Sequence, residues 1–144
     1  MNRPELLRDM LASLVECDLK GWHTYVFVEP VGFEEEILKI CEDLLPTKQA
    51  TINVNDTLLG IRGNPQAAIT RAFDEGSEFN LCLEEDFLLA PDALQLAVWY
   101  KANHKPHWVG LNLMAGTCGS TANLSDVSKP EAVIESRCFN SIGV

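Results

Sequence analysis

Residues 78–100, EFNLCLEEDFLLAPDALQLAVWY, constrain the fold of this chain more than any other stretch. The apolar run at 79–83 has the length and the boundaries of a buried strand. It ends abruptly in three consecutive carboxylates, Glu84, Glu85 and Asp86. Pro91 follows, whose fixed φ and missing N–H suit the first position of a helix, and Asp92 then sets negative charge in the first turn, where the helix dipole favours it. The predicted order is strand, acidic loop, helix, with acid at a strand's carboxyl end. Ligands of open α/β sheets bind in the crevice outside those ends. Three adjacent carboxylates repel one another, and a hard divalent cation such as Mg²⁺ or Mn²⁺ is the usual relief. A bare EED on its own reads first as a solvated acidic turn. The apolar run before it and the helix start after it weigh towards function.

The remaining chain alternates in the same way. Apolar residues Leu6, Leu7, Met10, Leu11, Leu14 and Val15 recur at three- and four-residue spacing after Pro4, predicting an amphipathic helix over 3–17. Residues 22–28, WHTYVFV, are aromatic and β-branched as in a central strand, and end at Glu29-Pro30, a second acid at a carboxyl end. A helix is predicted over 33–45, with Glu34 to Glu36 complementing its dipole and Pro46 stopping it. ATINV at 50–54 alternates as a strand, and Asn55-Asp56 reads as turn chemistry. Asn64 as N-cap with Pro65 at the first helical position predicts a helix running to Gly76. The helix after Pro91 is expected to turn Leu94, Ala97, Val98 and Tyr100 to the core. Strands are predicted over 108–114 and 133–139, with a glycine-rich loop over 115–126 between them. This pattern defines an α/β fold of three layers with a mostly parallel sheet, in one domain over 1–144.

LEEDFLLAPDAL resembles the metal-binding segment of GT-A fold glycosyltransferases, the nucleotide-diphospho-sugar transferases, above all the N-acetylglucosaminyltransferase I-like and family 2-like enzymes. In these a strand ends in an acidic EDD or DXD motif, and an APDF-like turn opens the next helix. The resemblance implies that Asp86 ligates Mn²⁺ or Mg²⁺, with Glu84 and Glu85 as water-mediated or supporting ligands; Glu85 stands where the family commonly has Asp. RPELLRDMLASL followed by GWHTYVFVEP is similar to the opening of the same enzymes. That likeness implies Arg3 near the diphosphate and Glu29 near the base or ribose. Arg62 and Asn64, in the loop that opens the helix before the acid-bearing strand, are implied at the nucleotide, where a guanidinium pairs with phosphate. Measured against the family, the sheet is expected to lack the usual first strand, since Met1 and Asn2 leave no room for it before Arg3-Pro4. The acceptor-binding part beyond CFNSIG is expected to be missing too. An uncovered central edge invites pairing, which predicts a homodimer.

A formal charge of −10 argues against nucleic acid and anionic membranes as partners, since both want a basic face. A nucleoside diphosphate sugar is also anionic, so a bridging cation has to reconcile the two. Five cysteines without a CxxC pair read as reduced thiols of a cytoplasmic protein, and neither a signal-peptide pattern nor a run long enough to span a bilayer is expected. His104 and His107 have no metal-ligand spacing, and Cys118 has no activating partner in sequence. The expected function is a glycosyltransferase-like domain that binds a nucleoside diphosphate sugar. Two other classes fit the residues: a GT-A remnant that binds a partner without turnover, and a metal-dependent phosphohydrolase, which lacks the separated Asp and Lys positions such enzymes show.

Overall fold

A computed structural model describes residues 3–107, 110 and 111 of the chain. Among these the fold is mixed α/β, with four helices and a parallel sheet of two strands. Of the strand predicted over 108–114 only residues 110 and 111 are described, and the strand predicted over 133–139, the loop over 115–126, Cys118 and Cys138 lie outside the described residues.

Helix α1, Pro4–Val15, starts on the proline that the sequence marks and carries Glu5 in its first turn. Its buried face is Leu7, Met10, Leu11 and Leu14, the stripe that the spacing predicts. Strand β1, Thr24–Val28, leads into α2, Glu34–Leu44, through Gly32, whose φ of 90° lies in the left-handed region open to glycine. The Gly32 N–H donates to Glu34 Oε1 at 2.9 Å, tying the entry turn to the acid-rich first turn of α2. Leu45 is already extended before Pro46, as a residue preceding proline is biased to be.

Strand β2, Ala50–Val54, pairs with β1 in parallel, and Thr24 stands opposite Ala50 and Val28 opposite Val54. Alternation then sorts the side chains by face. Val26, Val28 and Ile52 join the core formed with α1 and α2, where Leu11, Ile40 and Cys41 are almost fully enclosed. On the other face Phe27, Thr51 and Asn53 look towards α3, Gly60–Asp74, across a cavity of about 550 Å³ that Gln66, Thr70 and Arg71 also line. The Tyr25 hydroxyl donates to Glu75 Oε2 at 2.7 Å, fixing the end of α3 to the same face. Helix α4, Ala93–Asn103, closes on the core through Leu94, Ala97 and Tyr100.

Several expectations are corrected. Residues 79–83 form no ladder among the described residues. Leu81 and Leu83 nevertheless pack on the core, as do Phe87 and Leu89 further along. The apolar run thus reports burial, whereas a strand also needs a partner edge. Helix α3 begins at Gly60, so Asn64 is not its N-cap and Pro65 lies inside the helix. Gly60, at φ 74°, makes that earlier start in a turn that other residues rarely adopt. Helix α4 begins at Ala93, leaving Pro91 in the preceding turn. Its buried stripe is narrower than predicted, and Val98 faces outward at 54% exposure.

Candidate functional site

Helix α1 is the mount of the acidic segment. Ser13 Oγ accepts from the Leu89 N–H at 3.0 Å, and the Cys17 thiol donates to the Ala90 carbonyl at 3.5 Å. At the other end of the helix, Arg3 reaches the acids themselves. Its Nη2 lies 2.8 Å from Glu85 Oε1 and 3.3 Å from Asp86 Oδ2. The partners differ in exposure: the Glu85 side chain is 6% exposed, against 43% for Asp86 and 49% for Arg3. One carboxylate is thus an anchored, buried charge that needs a partner, and the other faces outward.

The electrostatics follow from this crowding. The hydrogen bond from Arg3 to Glu85, with the charge of that carboxylate and of Asp86, holds the guanidinium pKa above its ordinary value. Burial pushes the Glu84 carboxyl up, and the negative charges of Asp86 and Glu85 push the same way, with Arg3 opposing them. The ionised form of Glu84 is thus disfavoured. Two of the three acids therefore share one cation that the chain itself supplies.

Glu29 belongs to a second cluster. It is 7% exposed and accepts from Leu59 N–H at 3.0 Å, from Gly60 N–H at 2.6 Å and from Asn55 Nδ2 at 3.2 Å. The Asn55 amide also donates to Asn64 Oδ1 at 2.8 Å, Asn64 Nδ2 donates to the Phe27 carbonyl at 3.1 Å, and Asn53 Nδ2 donates to Asn55 Oδ1 at 2.9 Å. Burial works to raise the Glu29 pKa, but the bonds from Leu59, Asn55 and Gly60 outweigh it and hold the carboxyl below its usual range. The carboxylate caps the orphan N–H groups at the start of α3, where negative charge also meets the helix dipole.

The structure therefore brings Arg3 together with Glu85 and Asp86, and Glu29 together with Asn64. Arg62, also a predicted site residue, is exposed and makes no ion pair or side-chain hydrogen bond among the described residues. Asn55 is the residue that the sequence reading missed. It follows β2 by one residue, as Glu29 follows β1, so the parallel register sets the two side by side. An acid and an amide just past two adjacent strands are the signal that could have paired them.

Among the described residues, no group of three or more His, Cys, Asp or Glu side chains is gathered to hold a metal ion. Cations that travel with a substrate need no such cage, because one or two carboxylates and the phosphate oxygens suffice. Asp86 is 43% exposed, and its Oδ2 is already paired with the Arg3 guanidinium. Comparisons with protein-family models, with curated proteins and with solved structures find no match for the chain.

Proposed function

We propose that this chain is a GT-A-like domain, with a three-layer Rossmann-like architecture, that binds a nucleoside diphosphate sugar with Mn²⁺ or Mg²⁺ at the turn of Glu84, Glu85 and Asp86. The observation that supports this reading is the meeting of Arg3 with Glu85 and Asp86 at one end of α1. A metal diphosphate presents both signs of charge, and a guanidinium beside carboxylates answers both: the fork takes phosphate oxygens, the acids take the cation. Asp86 would ligate the ion, with Glu84 and Glu85 as supporting acids. When bound, the cation supplies Lewis-acid stabilisation of a departing diphosphate. Glu29 and Asn64 contribute indirectly in this reading, by fixing the loop and the start of α3, and Arg62 is free to reach towards a phosphate. The chain acts in the cytoplasm as a homodimer.

A second reading is favoured by one observation. The Glu29, Asn55 and Asn64 network is satisfied internally, which suits a GT-A remnant that binds a partner without turnover. Calorimetric titration of UDP, GDP and their sugars with Mn²⁺ separates the two. Metal-dependent binding that Asp86→Ala abolishes supports the donor site, and absence of binding to every nucleotide refutes it. Light scattering that finds a monomer at high concentration refutes the dimer.

A further inference from the structure

Resting on the reading that the chain is a homodimer, we infer that the outer edge of β2 is its interface: the β2 strands of two copies pair antiparallel about a two-fold axis at Ile52, and one sheet runs through both. Hydrogen bonds fix which groups point there. Thr24 N–H donates to the Gln49 carbonyl and Asn55 N–H to the Val28 carbonyl, so the odd-numbered residues along β2 serve the ladder with β1. The N–H and C=O groups of Ala50, Ile52 and Val54 therefore point away from β1, and no other strand pairs with them among the described residues. The outer edge of β1 is less open, because Asn64 Nδ2 already donates to the Phe27 carbonyl at 3.1 Å.

The sequence around this edge names a second copy as the partner. Exposed edges are commonly blunted by charge or proline, and ATINV carries neither. Val54, near its end, is 39% exposed. In an antiparallel pair centred on Ile52, Ala50 stands opposite the partner's Val54, and each outward N–H meets a carbonyl. The same register brings Lys48, two residues before the strand, to the partner's Asp56, two residues after it. Both side chains are exposed, and neither forms an ion pair among the described residues. The two-fold repeats the contact, as a self-complementary interface requires. Chains of formal charge −10 repel one another, so a neutral strand flanked by opposite charges is a surface on which two copies can meet. Opposite charges facing across strands stabilise a pair and like charges destabilise it, so Lys48 and Asp56 also set the register.

The test is a charge swap read by analytical ultracentrifugation of the 144-residue chain. Lys48→Glu and Asp56→Lys, each alone, are expected to weaken the dimer roughly tenfold or more, since each sets like charges opposite at both contacts. An equimolar mixture of the two variants is expected to dimerise about as tightly as the wild type, because every contact in the mixed pair joins opposite charges. Val54→Pro removes an outward N–H and spares the ladder with β1, so it is expected to give a monomer with unchanged far-ultraviolet circular dichroism. Should that variant not fold, the charge swap still decides. A dimer that neither charge variant weakens overturns the β2 interface and leaves the homodimer standing. So does a dimer in which both variants are weak and their mixture is no tighter. A wild type that stays monomeric at high concentration overturns both, and slow exchange of the Ile52 and Val54 amides in that monomer would show the edge covered within one chain.

Discussion

Glu29→Ala is expected to destabilise the protein by about 2–3 kcal/mol through lost hydrogen bonds. Three donors lose their acceptor: the N–H groups of Leu59 and Gly60 and one N–H of Asn55. Hydrogen bonds to a charged acceptor contribute about 1.5–3 kcal/mol each, and loss of a helix cap typically costs about 1 kcal/mol. The sum is an upper bound. Leu59 is 42% exposed, so water reaches the freed amide and recovers part of the loss. At a urea slope of about 1–3 kcal/mol per molar, the midpoint falls by roughly 0.7–3 M. Glu29→Gln keeps the shape and one acceptor oxygen, and is expected to lose about half as much.

The pH dependence carries the sign of a depressed carboxyl. Because the folded pKa of Glu29 lies below the unfolded one, its stabilisation is complete above the ordinary glutamate range and is lost as pH falls through the folded value. The gap between wild type and Glu29→Gln therefore narrows on acidification below about pH 4. Urea titrations followed by circular dichroism at neutral and acid pH measure both effects. A Glu29→Ala midpoint within about 0.2 M of the wild type would refute the capping role, since the expected shift is several times larger.

Leu11→Ala, at a site 1% exposed between α1 and α2, is expected to cost about 3–4 kcal/mol through lost transfer energy and a residual cavity, whereas Leu88→Ala, at 74% exposure, stays within about 0.5 kcal/mol; thermal melts of the two compare them directly. Glu84→Gln is expected to stabilise the protein slightly at pH 7. Its carboxyl pKa is raised on folding, so ionisation above that value works against the folded state, and the advantage of the variant shrinks as pH falls through it. Melts from pH 7 down to the ordinary glutamate range show the trend.

Periodicity made the helices and the first two strands legible because burial writes itself into spacing. The α1 stripe, the Pro4 start and the bounds of β2 follow directly from it. Residues 79–83 show the limit of that signal: alternate side chains reach the core, yet the backbone finds no ladder among the described residues. Asn64-Pro65 carries a strong helix start in sequence, and the chain overrides it because Gly60 turns earlier and Glu29, distant in sequence, supplies the cap. The ion pair of Arg3 with Glu85 and Asp86 spans more than eighty positions, so nothing local in the chain announces it. Its members were singled out for separate reasons, and only the packing of α1 against the acidic segment joins them.

The most direct measurement is the amide spectrum of nitrogen-15-labelled protein with UDP-sugar or GDP-sugar and a trace of Mn²⁺, whose unpaired electrons broaden nearby resonances. A donor site at the acid turn predicts that Arg3 and residues 84–87 broaden first, only when nucleotide is present, and not in Asp86→Ala. Broadening centred elsewhere, or unchanged by Asp86→Ala, would contradict the account.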